Sequence, residues 1–164
     1  YLYAPAPLHQ DTSQMIDLVV DTLARVPEYD PILLLQATQP LRRVEHVQRA
    51  LAWLRETGAD SVVSVIEVPR IYHQDWQATI VECKGGPLLV HRWASPQVAW
   101  LRQGLRPTWI RDGTVYAFWR KTVTEHGTIY GQDVRPLIIT PEETCALDTM
   151  ADWQEAERRL RERG

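Results

Sequence analysis

Apolar residues recur at helical spacing near the start of the chain, at Met15, Val19, Leu23 and Val26, and Pro27 ends the run. An amphipathic helix is expected there. The segment before it, Tyr1 to Gln10, carries Pro5 and Pro7 and reads as an extended lead-in. Asp11, Thr12 and Ser13 then offer oxygens suited to capping the helix. The period changes at Pro31 to Gln36, where Ile32, Leu33, Leu34 and Leu35 are consecutive. A run apolar on both faces predicts an interior strand of a parallel sheet. Val44, Val47, Leu51 and Leu54 make a second helical stripe, and Gly58 stands where a left-handed residue would close it. Ser61 to Val68 follows as a strand rich in valine. Strand, helix and strand together form a βαβ unit, whose ligands gather at the carboxyl ends of the strands. Gln36 to Arg42 lies at such an end.

From residue 70 to 111 the long helical stripes stop, and a hairpin is predicted from Ala78 to Cys83 and from Leu88 to Val90 around Lys84-Gly85-Gly86-Pro87. This stretch reads as an insertion. Trp76, Trp93, Trp100 and Trp109 fall in or beside it, which points either to a subunit contact or to a small local core. Asp112-Gly113 predicts a turn into a strand from Thr114 to Trp119, and Leu137 to Thr140 is another short strand. Thr140-Pro141-Glu142-Glu143 is a capping box with proline at the first helical position, and Thr149 to Asp152 is a second. The last helix presents Trp153, Ala156 and Leu160 as its buried stripe, with Arg158, Arg159, Arg161 and Arg163 on a solvated face.

Composition narrows the class. At 164 residues, with 45% hydrophobic and 24% charged positions, the chain is long enough to build one globular domain without disulfides or a structural metal. A formal charge of −3 is too small a footprint for a nucleic-acid partner. Cys83 and Cys145 show no paired spacing and read as reduced thiols of a cytoplasmic protein. No apolar run approaches the ~20 residues of a spanning helix, so no membrane segment is expected. Tyr1 is not an initiator methionine, and the first residues read as the middle of a longer protein.

Few residues carry chemistry on pattern alone. The glycines assemble no GxGxxG or phosphate loop, and Lys84-Gly85-Gly86 belongs to the hairpin. His9, His46, His73, His91 and His126 lack metal-ligand spacing and read as surface histidines. No nucleophile elbow is present, so acyl transfer has no support. Asp148 lies between an apolar region and a capped helix, where a carboxylate can hold Mg²⁺ against a nucleotide phosphate or simply favour the helix dipole.

The segment Ile32-Leu33-Leu34-Leu35-Gln36-Ala37-Thr38-Gln39-Pro40-Leu41-Arg42 resembles the "LLQPTSPLR" motif of acylneuraminate cytidylyltransferases, and further matches follow in order. Gly58 to Val65 is similar to the family's "adSvvSv" strand, and Arg102-Gln103 lies where the family has an Arg-Gln. Leu105-Arg106-Pro107 and Asp112-Gly113-Thr114-Val115-Tyr116 resemble "lp…nGaiY", and Ala146-Leu147-Asp148-Thr149 resembles the "DIDt" ending. Tyr3 to Ser13 is similar to the segment that precedes these motifs.

This resemblance implies a Rossmann-like α/β nucleotidyltransferase fold with a mostly parallel sheet, formed by residues 1–164 as one N-terminally incomplete domain. Residues 70–104 would be a small dimerisation insertion of a homodimer. The implied reaction joins CTP and an acidic nine-carbon sugar to give the CMP-sugar and pyrophosphate, with Mg²⁺. Carried over by position, Gln36 and Arg102 would contact the sugar acid, Tyr116 would line its pocket, Asp148 would bind the metal and Arg42 would order the loop; no catalytic residue is assigned. Three departures stand out: Ala146 replaces the first aspartate of the metal pair, Asp112 replaces an asparagine and Gln39 replaces a serine. The family's opening strand and lysine-bearing glycine loop, which grip CTP, have no counterpart here. A non-catalytic dimerisation or sugar-binding module, and a transferase using GTP, are the alternatives.

Overall fold

The computed structural model describes residues 14–91 and 105–163. The chain runs α1 (Met15–Arg25), β1 (Ile32–Leu34), α2 (Val44–Thr57), β2 (Ser61–Glu67), β3 (Ala78–Cys83), β4 (Gly86–His91), β5 (Trp109–Phe118), α3 (Arg120–His126), β6 (Val134–Ile138) and α4 (Met150–Arg163). The described residues fall into two compact units, one from the parts of the chain up to Val65 and from Arg111 onward, the other within Ile66–Ile110. Residues 1–13, with the lead-in and the predicted caps Asp11 to Ser13, lie outside the described residues, as do Trp93, Trp100 and Arg102. The observed N-cap of α1 is Gln14, whose side chain makes no capping bond.

In the first unit the sheet order is β1-β5-β2-β6. The expected mostly parallel sheet is a mixed one among the described strands. Leu33 pairs with Ala117 in an antiparallel β1–β5 ladder, whereas Val63 pairs with Pro136 in a parallel β2–β6 ladder. Trp119 N–H donates to the Asp60 carbonyl and Val115 N–H to the Ser64 hydroxyl, so β5 also runs against β2. The predicted βαβ unit is therefore opened by an intervening strand: β5 sits between β1 and β2, and the all-apolar run of β1 ends up beside an antiparallel neighbour. The expected interior strand is also an edge strand among the described strands, with Ile32 to Leu34 only half-buried, because apolar residues on both faces record neither a strand's place in the sheet nor the direction of its neighbour.

Successive residues of β5 serve opposite faces. Tyr116 and Phe118 join Val19 and Leu23 of α1, Val63 of β2, Val123 of α3 and Ile129 in one core cluster. Val115 and Ala117, both fully buried, point the other way. α2 contributes Ala50 and Leu54 to the interior and packs along β6. Its buried face also includes His46 rather than Val44, which is 66% exposed. The expected surface histidine is thus a core residue. Its Nε2 lies 3.4 Å from Glu143 Oε1 and its Nδ1 accepts from Arg43 N–H, so the buried ring is satisfied at both nitrogens.

The last helix departs from expectation in the same way. Ala156 is buried, but Trp153 and Leu160 are 57% and 45% exposed. Two of the supposedly solvated arginines instead reach inward. Arg159 donates to the carbonyls of Pro141 and Thr144, both at 3.1 Å, and Arg163 to those of Leu41 and Glu142. Arginine stems and forks let a polar-looking face dock on carbonyl groups. Arg120 does the same at the end of α1, where its guanidinium donates to the carbonyls of Leu23, Val26 and Tyr29.

The second unit contains the expected hairpin, β3 and β4 paired from Ala78–His91 to Cys83–Gly86. His73, expected at the surface, is buried, with Nε2 on the Arg106 carbonyl at 2.9 Å and Nδ1 accepting from Asp75 N–H. Cys83 and Cys145 are free thiols. Among the described residues no helix is long and apolar enough to cross a membrane.

Candidate active site

The loop leaving β1 is tied to β5 by side chains. Arg42 donates from Nε to the Thr114 carbonyl at 2.6 Å and from its terminal nitrogen to the Gln36 carbonyl. Burial pulls its pKa below the usual arginine value, and the nearby Asp112 charge opposes that pull. Gln39 is 3% exposed and bridges two elements: its amide N–H donates to the Asp112 carbonyl and its Oε1 accepts from the Thr144 hydroxyl at 3.0 Å. The Thr38 carbonyl accepts from Leu147 N–H at 3.0 Å. The loop is thereby fixed to β5 on one side and to the segment bearing Asp148 on the other. Gln39→Ala is expected to leave the Asp112 carbonyl and Thr144 hydroxyl without these partners and to cost about 1–2 kcal/mol, measured by urea unfolding.

Asp112-Gly113, expected as a turn, lies inside β5. Gly113 has φ +83°, and a Cβ there would overlap the Gln36 side-chain amide. A glycine in the left-handed region within a strand marks a β-bulge, which re-aims the flanking side chains. The consequence is visible: Arg111 and Tyr116, an odd number of residues apart, line the same cleft. In an unbroken strand they would face opposite ways.

That cleft has a volume of about 600 Å³ and is walled by Gln36, Arg111, Tyr116, Tyr130, Ala146 and Asp148 among others. The size suits a small polar molecule. Tyr116 meets Tyr130 edge to face, with centroids 6.4 Å apart and planes at 70°. Burial, followed by the neighbouring Tyr130, raises the Tyr116 phenol above its usual pKa, so it stays protonated at neutral pH and can donate. The Arg111 guanidinium lies 5.3 Å from the Tyr130 ring centroid and hydrogen-bonds its hydroxyl. Asp112 turns both carboxylate oxygens onto Thr114, its backbone N–H at 3.1 Å and its hydroxyl.

In the segment that leads to Asp148, the Pro141–Glu143 3₁₀ turn closes its predicted capping box, with Thr140 N–H on Glu143 Oε2 at 3.3 Å. The second box also forms. Thr149 N–H and hydroxyl each donate to Asp152 Oδ2 at 2.7 Å, and Asp152 N–H donates back to the Thr149 hydroxyl. Thr149's donors hold Asp152 below the usual carboxylate range. Asp152 is thus engaged in capping, and Asp148 is the exposed carboxylate of this segment that reaches the cleft.

Among the described residues no group of three or more His, Cys, Asp or Glu side chains is placed to hold a metal ion. Ala146 leaves Asp148 without the second carboxylate of the family pattern. This donor set fits an ion carried mainly by water and phosphate oxygens, the usual state of protein-bound Mg²⁺ beside a nucleotide. It does not fit a metal caged by protein ligands.

Of the residues singled out from sequence, Gln36, Tyr116 and Asp148 come together on this cleft, although Asp148 is 112 positions after Gln36 in the numbering. Sequence reading missed Arg111 and Tyr130. Neither sits in a spacing pattern that announces it; the bulge at Gly113 and the turn after α3 bring them in.

No protein-family profile matches the chain. Among characterised proteins, it is 28% identical over 156 residues to CMP-N,N'-diacetyllegionaminic acid synthase of Legionella pneumophila, covering 92% of this chain and 64% of that protein. It is 27% identical over 153 residues to N-acylneuraminate cytidylyltransferase A of Danio rerio, covering 92% and 34%. Against N-acylneuraminate cytidylyltransferase of Oncorhynchus mykiss the identity is 30% over 156 residues, covering 92% and 33%. The chain therefore spans under two thirds of the length of the first relative and about a third of the other two. In fold it resembles a CMP:2-keto-3-deoxy-manno-octonic acid synthetase complexed with CTP, at a TM-score of 0.63 and 15% identity over 94% of this chain and 70% of the other.

Proposed function

We infer that this chain, a member of the acylneuraminate cytidylyltransferase family, supplies the sugar side of a reaction joining CTP to an acidic nine-carbon sugar and releasing pyrophosphate. The observation that carries the reading is convergence: Gln36, Tyr116 and Asp148, drawn from three separate sequence motifs, line one cleft. In the reaction the anomeric hydroxyl attacks the α-phosphorus and loses its proton to solvent, a new P–O bond forms, and the bond to the bridging oxygen breaks as pyrophosphate leaves.

The chain's own contribution is placement. Gln36 offers an amide that both donates and accepts, and the protonated Tyr116 phenol offers a donor. Both are positioned by packing, so that the hydroxyl is presented in line without reorganisation at the moment of reaction. Arg102, outside the described residues, is proposed as a further sugar contact. Asp148 would hold Mg²⁺, which neutralises phosphate charge when bound. The test is pyrophosphate release with Mg²⁺, CTP or GTP, and a panel of nine-carbon acidic sugars. Release with one pairing supports the reading and names base and sugar together. Folded protein that binds a sugar acid yet releases nothing favours the second reading, a non-catalytic sugar-binding module, to which Ala146 in the cleft wall lends support.

A homodimer is proposed through the β3–β4 hairpin. Ile80 and Leu89, paired across the ladder, are 68% and 55% exposed, and Val81 and Leu88 on the other face are 43% and 55% exposed. A two-stranded ribbon with apolar side chains on both faces is marginal until something covers it. Ile80→Asp is expected to shift the protein from dimer to monomer at micromolar concentration in sedimentation velocity; an unchanged dimer would move the contact elsewhere.

A further inference from the structure

We propose that Arg111, held in place by Tyr130, receives the carboxylate of the acidic sugar, an assignment that rests on reading the cleft as the sugar site. Arg111 is the cation among the described residues that wall the cleft. Its sequence neighbour Asp112 is not ion-paired with it, since both Asp112 carboxylate oxygens are turned onto Thr114. The guanidinium lies 5.3 Å from the Tyr130 ring centroid, and one terminal nitrogen donates to the Tyr130 hydroxyl. Tyr130 is braced in turn by its edge contact with the nearly buried Tyr116.

A guanidinium has five N–H donors in a rigid plane, and this one spends a single terminal nitrogen on the phenol. The remaining donors form the fork that matches a carboxylate with two parallel hydrogen bonds. The ring contact fixes that plane, so less side-chain freedom is lost when the anion arrives. The charge layout also gives the substrate a direction. Arg111 would draw the carboxylate to one wall, while Asp148 on another wall repels it and leaves room for the phosphate end with its counter-ion. An acidic sugar would thus lie with its anomeric carbon between Arg111 and Asp148. Lysine at 111 would keep the charge but lose both the fork and the stacking plane. Tyr130 acts only through Arg111 and is a positioning residue.

The test is isothermal calorimetry on the full-length protein with N-acetylneuraminic acid and N,N'-diacetyllegionaminic acid, each compared with its C1 methyl ester. The wild type is expected to prefer at least one acid over its ester by about thirtyfold, the scale of charge-assisted hydrogen bonds. Arg111→Gln should reduce that preference to within about threefold while weakening the ester little. Tyr130→Phe keeps the ring but removes the hydroxyl acceptor, and should fall between the two. Arg111 is exposed, so the variant's melting point should stay within a few degrees of wild type. An Arg111→Gln protein that still discriminates acid from ester as strongly as wild type overturns the assignment alone. A wild type that binds neither acids nor esters overturns the sugar-site reading and the assignment with it.

Discussion

Asp148→Ala should lower pyrophosphate release about a thousandfold while leaving the affinity for the sugar acid within a factor of about three. Magnitude and selectivity both come from the site. The segment after the Pro141–Glu143 turn presents one carboxylate to the cleft, because Asp152 is engaged by Thr149 and position 146 is alanine. A metal carried by one carboxylate, water and phosphates has no protein ligand in reserve, so losing it removes most of the charge neutralisation, on the order of 4 kcal/mol of barrier. Gln36 and Tyr116 stand on other elements and should be undisturbed. The measurement is kcat over a Mg²⁺ titration, with sugar binding followed separately. A rate that persists at saturating Mg²⁺ would remove Asp148 from the metal role. The reverse substitution is also informative: Ala146→Asp should tighten the apparent Mg²⁺ constant by about tenfold, since it restores a second hard oxygen donor.

Gly113→Ala should damage stability and binding together. At φ +83° an alanine suffers the left-handed penalty of roughly 1–2 kcal/mol. Its methyl group would also displace the Gln36 amide, the far end of a flexible side chain beside the cleft, which moves aside at little further cost to stability. A total cost of about 2 kcal/mol is expected, lowering the melting temperature by roughly 4–8 °C for a chain of this size. The displaced amide should raise KM for the sugar by about tenfold with a smaller change in kcat, the pattern of lost ground-state binding. Full sugar affinity alongside a lowered melting point would show that Gln36 does not touch the sugar.

The elements were legible where local chemistry decides them. The Thr140–Glu143 and Thr149–Asp152 boxes, the Gly58 cap at φ 67° and the hairpin around Lys84-Gly85 depend on neighbours in sequence, and the folded chain contains them all. What escaped depends on partners far along the chain. Nothing near His46 announces Glu143, the carboxylate that lets an imidazole sit in the core. Helix stripes were misassigned in α2 and α4 for a related reason: a valine or tryptophan reads as buried, yet Arg159 and Arg163 found carbonyl groups on the docked face and Trp153 was left outside. Sheet direction was illegible, because a run apolar on both faces carries no record of which way its neighbour runs. The cleft was half legible. The motif residues Gln36, Tyr116 and Asp148 line it, whereas Arg111 was hidden because Asp112-Gly113 reads as a turn that precedes the strand, which leaves Arg111 outside it.

The bulge at Gly113 makes the charge of the cleft a matter of counting as well as of composition. Inserting one residue between Gly113 and Tyr116 while the bulge persists would reverse the parity and swing Arg111 to the far side of the sheet from Tyr116, with the strand's chemistry otherwise unchanged. Lengthening or shortening a strand by one position is therefore a route by which a scaffold of this kind could exchange an anion-accepting wall for a neutral one, and a comparison of relatives restricted to aligned letters would pass over it.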